Sequence, residues 1–221
     1  MPLVFSSAAF SQVVDLEITN LTHGLHFTPL FINAHSSDDH LFQVATSASD
    51  AIQAMAEGGD ISSLSSTAPQ GSVSSENPAM GLLAPSASTE VLDLDTETNT
   101  HLSVVSMLLP TNDGFVGLDG WEIPEEAGTY TVYLNAYDAG TEANDEIING
   151  MGAPGDAGIP AAPGGDAGTG ATGVTATESN STVHIHRGNV GDTDDSAGIS
   201  DVDSRIHRWL NPVAKIVVTV K

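Results

Sequence analysis

Short runs in which apolar and polar residues alternate recur along this chain, and they limit what it can fold into. In VVDLEITNLT (13–22), Val14, Leu16 and Ile18 fall on one side, and Asp15, Glu17 and Thr19 on the other. A period of two is that of a strand with one buried face. Further strand signals occupy 26–35, 88–95, 101–110, 113–123, 129–137, 181–188 and 212–221. Pro29 confines the 26–35 run to a sheet edge or a bulge, because proline gives no N–H to a ladder. The run 41–45 is short and apolar. One segment changes period. In 47–60, Ala48, Ala51, Ile52, Met55 and Ala56 share a helical stripe that Gly58-Gly59 closes. Residues 60–90, rich in Ser, Pro and Gly, read as a long loop; so do residues 149–179, mostly Gly, Ala and Pro. The pattern predicts an all-β fold: an antiparallel β-sandwich with one short helix and two long loops, a single domain over 13–221.

The charge is segregated. The formal net charge is −24, and the five Lys and Arg all lie at or after Arg187. Of the 29 Asp and Glu, all but five precede Arg187. Such a surface repels nucleic acid and anionic membranes, so neither is expected as a partner. It attracts cations, and a salty exterior would screen its self-repulsion. The chain has no Cys, so it has no disulfides, and the redox compartment stays open. No apolar run reaches the roughly 18 residues of a transmembrane helix, and membrane insertion is not expected. Residues 1–12 contain the small-x-small pattern Ala9-Phe10-Ser11. They read as the tail of a truncated signal peptide or as an ordinary first strand.

Two constellations could carry chemistry. The first is YDAGTEANDE (137–146), where four acids meet no cation for about forty residues. Asp138 follows one strand signal and Asp113 sits in a turn beside another. Strand ends of a sandwich gather at two poles, so these turns can meet. Ca²⁺ takes about six to eight oxygens from carboxylates, carbonyls and water, and Asp113, Asp138, Glu142 and Asp145 could supply carboxylates. The alternative is a set of solvated acidic turns. The second constellation is VHIHRG, where His184 and His186 share a strand face. With His35, which ends another strand, they could hold copper. The alternative is a pair of hydrogen-bonded histidines. Asp192, Asp194 and Asp195 alternate like a calcium loop but lack its closing Glu, which makes them a weak second cation site. The chain has no GxSxG, no Cys nucleophile and no phosphate loop, so a non-catalytic role is expected.

ITNLT, FTPLFINAH, MLLPTNDGFVGLDG, YDAGTEANDE, VHIHRG and WLNPVAKIVVTV occur in this order. Together they resemble the spondin N-terminal domain family in its bacterial secreted branch, over 13–221. The resemblance implies a C2-like antiparallel sandwich with Ca²⁺ at one end, in an extracellular (secreted) or periplasmic protein. It also implies a role in adhesion or matrix binding, with an extracellular protein or a glycan as partner. Its metal carry-over falls on Asp113, Asp138 and the acidic group at Glu142 and Asp145. The animal segment is shorter there and lacks ANDE, so it does not choose among Glu142, Asp145 and Glu146. Animal members carry disulfides that are absent here. Exposed edge strands would permit self-assembly, which the uniform negative charge opposes unless cations bridge it.

Overall fold

The computed structural model describes residues 11–163 and 168–221. The signal-peptide or first-strand reading of residues 1–12 therefore lies, for 1–10, outside the described residues. In chain order the elements are β1 (Val13–Asn20), β2 (His26–Phe27), β3 (Phe31–His35), α1 (Asp50–Gly58), α2 (Ser62–Thr67) and β4 (Val73–Glu76). They continue with β5 (Ser88–Asp95), β6 (His101–Leu109), β7 (Gly114–Glu122), β8 (Gly128–Asp138), β9 (His184–Ile185) and β10 (Ala214–Val220).

The strands run in the order β4-β3-β6-β7-β8-β10-β1-β5, with β2 also on β6 and β9 also on β8. All of these pairings are antiparallel. The sheet folds into two layers, and β8 belongs to both. Its residues 128–134 pair with β10, and its residues 135–138 pair with β7. Leu16, Ile18, Ile216 and Val218 from one layer meet Ile32, Leu102, Val104 and Val116 from the other in a shared core. The expected sandwich is therefore present, nearly closed because β8 passes from one layer to the other.

A second core lies on the outer face of the β3-β6-β7 layer. Phe31, Val105, Met107 and Phe115 pack there against Ile52 and Met55 of α1. This explains why β6 is buried along almost its whole length: its odd and even residues serve different cores. The helix forms where its stripe predicts. Ser49 Oγ caps it by accepting from Ile52 N at 3.2 Å. Gly59, at φ +70°, closes it and donates to Met55 O at 2.9 Å, the left-handed stop that glycine favours.

Four expectations need correction. There are two short helices, not one, and residues 60–90 are not a bare loop: they hold α2, β4 and the start of β5. Tertiary contact supplies what the sequence lacks there. Leu64 buries into the second core, and β3 provides a ladder for β4. The 26–35 run is two strands with Pro29 in the break, and β3 lies inside the sheet between β4 and β6. Residues 181–188 contribute only the two residues of β9.

Candidate metal centre

The turn between β6 and β7 and the end of β8 sit side by side, because Gly114 pairs with Asp138. Ala139 N also donates to Asp113 O at 3.1 Å. This register brings Asp113 and Asp138 to one pole, both almost wholly buried. Asp113 Oδ2 accepts from Thr141 N at 2.8 Å, Thr141 Oγ1 at 3.2 Å and Glu142 N at 3.3 Å. Its Oδ1 is buried with no partner. Burial, with the Asp138 carboxylate next, pushes the Asp113 carboxyl up to about 7. Asp138 accepts from Gly140 N and from Asn144 Nδ2, each at 2.8 Å. Gly140 has φ +70°, and a Cβ there would meet Thr182 N at 2.7 Å, so the turn needs its glycine.

Glu142 joins from the following loop. Its Oε2 accepts from Gly158 N at 2.8 Å, and its Oε1 is buried without a partner. Burial is the main cause that raises Glu142 to about 8, and repulsion from Asp113, Glu57 and Asp145 adds to it. Asp145 is half-buried and accepts from Asn112 Nδ2 at 2.8 Å and Ile147 N at 3.0 Å. The four expected carboxylates thus share one end of the fold. Glu57, near the C-terminal end of α1, is 1% exposed and was not expected. It accepts from Gln53 Nε2 at 2.9 Å and Gly155 N at 2.7 Å. One signal could have found it: an acid in the last turn of a helix opposes the helix dipole.

Glu146 is separate from this group. It accepts from Val190 N at 2.6 Å, Gly191 N at 2.8 Å and Ser200 Oγ at 2.6 Å, and so ties the 190–200 loop to the sheet end. Asp201 does similar work, accepting from Ile148 N at 2.8 Å and Thr169 N at 2.6 Å. Asp192, of the second cation loop, accepts from Asp194 N, Ile199 N and Ser200 N, which folds its own loop.

The histidines divide between two poles. His184 and His186 lie beside the acidic group. His184 Nδ1 bonds Thr182 O at 2.8 Å, and its Nε2 lies 3.7 Å from Asp138 Oδ2. His186 is buried against Trp209, ring centroids 4.9 Å apart. Its Nδ1 accepts from Gly188 N at 2.9 Å, its Nε2 has no partner, and burial lowers it to about 4. His35 pairs with His101 at the opposite end of β6, about 27 Å of strand away. It contacts Ser103 Oγ at 2.7 Å and Ser36 O at 2.8 Å. The structure does not bring His35 together with His184 and His186.

Among the described residues, no three His, Asp or Glu side chains form a group already arranged to hold a metal. The carboxylates of the acidic pole are held instead by backbone N–H groups. Two of them, Asp113 and Glu142, keep one oxygen free of any partner. Those two oxygens are hard donors of the kind that suits Ca²⁺, whereas the imidazoles of His184 and His186 beside the group are borderline ones.

The Spondin_N family model matches residues 17–147, more than half of the chain. The matched span holds Glu57, Asp113, Asp138, Glu142 and Asp145, whereas His184 and His186 lie beyond it. No curated protein matches the chain. On the family match and the sandwich that carries it, the chain belongs to the spondin N-terminal domain family.

Proposed function

We propose that the protein is a secreted, non-catalytic binding module whose acidic pole holds Ca²⁺, with an adhesion or matrix role. The observation that carries the metal reading is the pair of buried, partnerless oxygens, Asp113 Oδ1 and Glu142 Oε1. A buried carboxylate oxygen without a donor is costly unless protonated or bound to a cation. Asp113, Asp138 and Glu142 would hold the ion, with Asp145 and Glu57 beside them. Bound Ca²⁺ would supply the positive charge that the first 186 residues lack, and would join the β6–β7 turn to the loop after β8. Family membership supports the extracellular binding role. Among the described residues, no helix is long and apolar enough to cross a membrane. The non-catalytic reading is supported by Ser103, which contacts His35 and Asp119 but has no exposed surface.

A second reading is favoured by one contact. His184 Nδ1 faces a carbonyl and so donates, which leaves the Nε2 lone pair directed toward the Asp138 carboxylate. A borderline cation such as Cu²⁺ held at Nε2 would resolve that opposition.

Elemental analysis and calorimetric melting in Ca²⁺, Cu²⁺ and chelator test both readings. At a hundredfold excess over Kd, Ca²⁺ should add about 2.7 kcal/mol, and Asp113→Asn should abolish the gain. Identical melting in Ca²⁺ and in chelator overturns the calcium reading. Undiminished Cu²⁺ binding by a His184→Ala/His186→Ala variant overturns the copper reading.

A further inference from the structure

The last β7–β8 pair is Gly117 with Asn135. Beyond it β8 turns away to β10, and a cleft of about 310 Å³ opens on the outer face where the two strands part. Along β8, Tyr133, Asn135 and Tyr137 point outward at alternate positions and line it. Asp119 lines it from β7, and Phe42 and Gln43 from the segment after β3. The floor is rigid. Phe42 packs on Tyr137 and on Phe115 with ring centroids 5.0 Å apart in each case, and its ring lies so close over Gly117 that a Cβ there would meet it at 2.6 Å.

The walls divide into fixed and unused groups. Asp119 is fully occupied by His40 Nδ1 at 2.6 Å and by Leu41 N, Phe42 N and Ser103 Oγ. Tyr133 is 60% exposed on a strand held by β10, and no ring packs on it. Its hydroxyl and the side-chain amides of Gln43 and Asn135 carry no hydrogen bond to a described residue. The cleft thus offers one bare aromatic face, a second aromatic floor, and amides that can both donate and accept. It offers no free charge.

We propose that this cleft binds a neutral pyranose of an extracellular glycan. A pyranose has an apolar C–H face that stacks on an aromatic ring and a rim of hydroxyls that suits amides. Anionic ligands, sulfated or uronic sugars included, are repelled by a chain of net charge −24. A cation finds no unpaired carboxylate in the cleft. The volume lies at the small end of the usual ligand range of about 300–1,000 Å³, enough for one sugar ring and part of the next. The proposal rests on the binding-module reading but not on the metal.

The test is calorimetric titration and saturation-transfer NMR with neutral oligosaccharides: cello-, xylo-, manno-, laminari- and chito-oligomers. Wild-type protein, Tyr133→Ala, Tyr133→Phe and Asn135→Ala are compared, each with its melting curve in Ca²⁺ and in chelator. One or more oligomers should bind the wild type. Tyr133→Ala should weaken that binding by about tenfold, the scale of one aromatic contact. Tyr133→Phe should retain most of it, since the ring face is kept, and all variants should melt like wild type. Either of two results overturns the proposal: no binding by any oligomer, or equal binding by Tyr133→Ala. Neither of these changes the Ca²⁺ dependence of melting measured on the same samples, so failure of this site is distinguishable from failure of the metal reading.

Discussion

Asp113 and Glu142 fold into places where water no longer supports their charge. Their folded values, about 7 and about 8, lie above those of the unfolded chain, so the folded protein binds protons that the unfolded chain has released. Metal-free stability should therefore fall as pH rises from about 4 to about 8. Ca²⁺ competes with those protons, so its stabilisation should grow over the same window. Melting at about pH 5 and pH 8, with and without Ca²⁺, checks both signs; metal-free protein that melts higher at pH 8 contradicts the first. His186 acts the other way. Its value is lowered to about 4, so its contribution is lost as pH falls through the ordinary His range toward 4. With two carboxylates against one imidazole, the carboxylate trend should prevail above about pH 5. Asp113→Asn removes a buried charge and keeps an acceptor for Thr141. At about pH 8 it should stabilise the metal-free protein by on the order of 1–3 kcal/mol while losing the Ca²⁺ response, as denaturant titration would show.

Helix α1 matters beyond its length, because it covers the second core and carries Glu57 to the acidic pole. Ser49→Ala should cost about 1 kcal/mol through loss of the cap. Met55→Ala, at a position with no exposed surface, should cost about 2–5 kcal/mol through the cavity it leaves. Urea unfolding measures both, and a Met55→Ala cost near that of Ser49→Ala would mean the second core collapses to fill the space. The same helix shows why some elements were legible in the sequence. Its period, its serine start and its glycine stop are all local, and so is the alternation of β1 and β10. Helix α2, SSLSST, has one buried anchor, Leu64, and β4, VSSE, has no apolar alternation. Both depend on what lies opposite them. The site divides likewise. Asp113 and Asp138 were legible because each lies in a turn just after a strand signal. Glu57 was not, because only the packed helix places it next to residues far along the chain.

For the whole molecule, the charge distribution and the two-layer sheet pull in opposite directions. A net charge of −24 on one sandwich favours expansion, and monovalent salt should relieve it. At about 1 M the screening length drops to about 3 Å, so the metal-free protein should melt several degrees higher than at low ionic strength. A rise with NaCl as large as that with millimolar Ca²⁺ would reduce the calcium effect to screening. The charge pattern was fully visible in the sequence, but its use was not: many of these acids accept backbone N–H bonds across long spans of chain. Glu57 and Glu142 tie down the loop at Gly155 and Gly158, and Glu146 and Asp201 tie the segments near 190 and 169 to the sheet end. Such ties occupy the role that disulfide crosslinks fill in other domains, but they answer to a different agent. A reductant finds no bond here to cleave. Among these acceptors Asp201, despite its burial, is held below the usual carboxylate range by hydrogen bonds from Thr169, Ile148 and Ala171. Acid that protonates it would loosen the segment near 169 reversibly, so pH, not redox state, sets how tightly that loop is held.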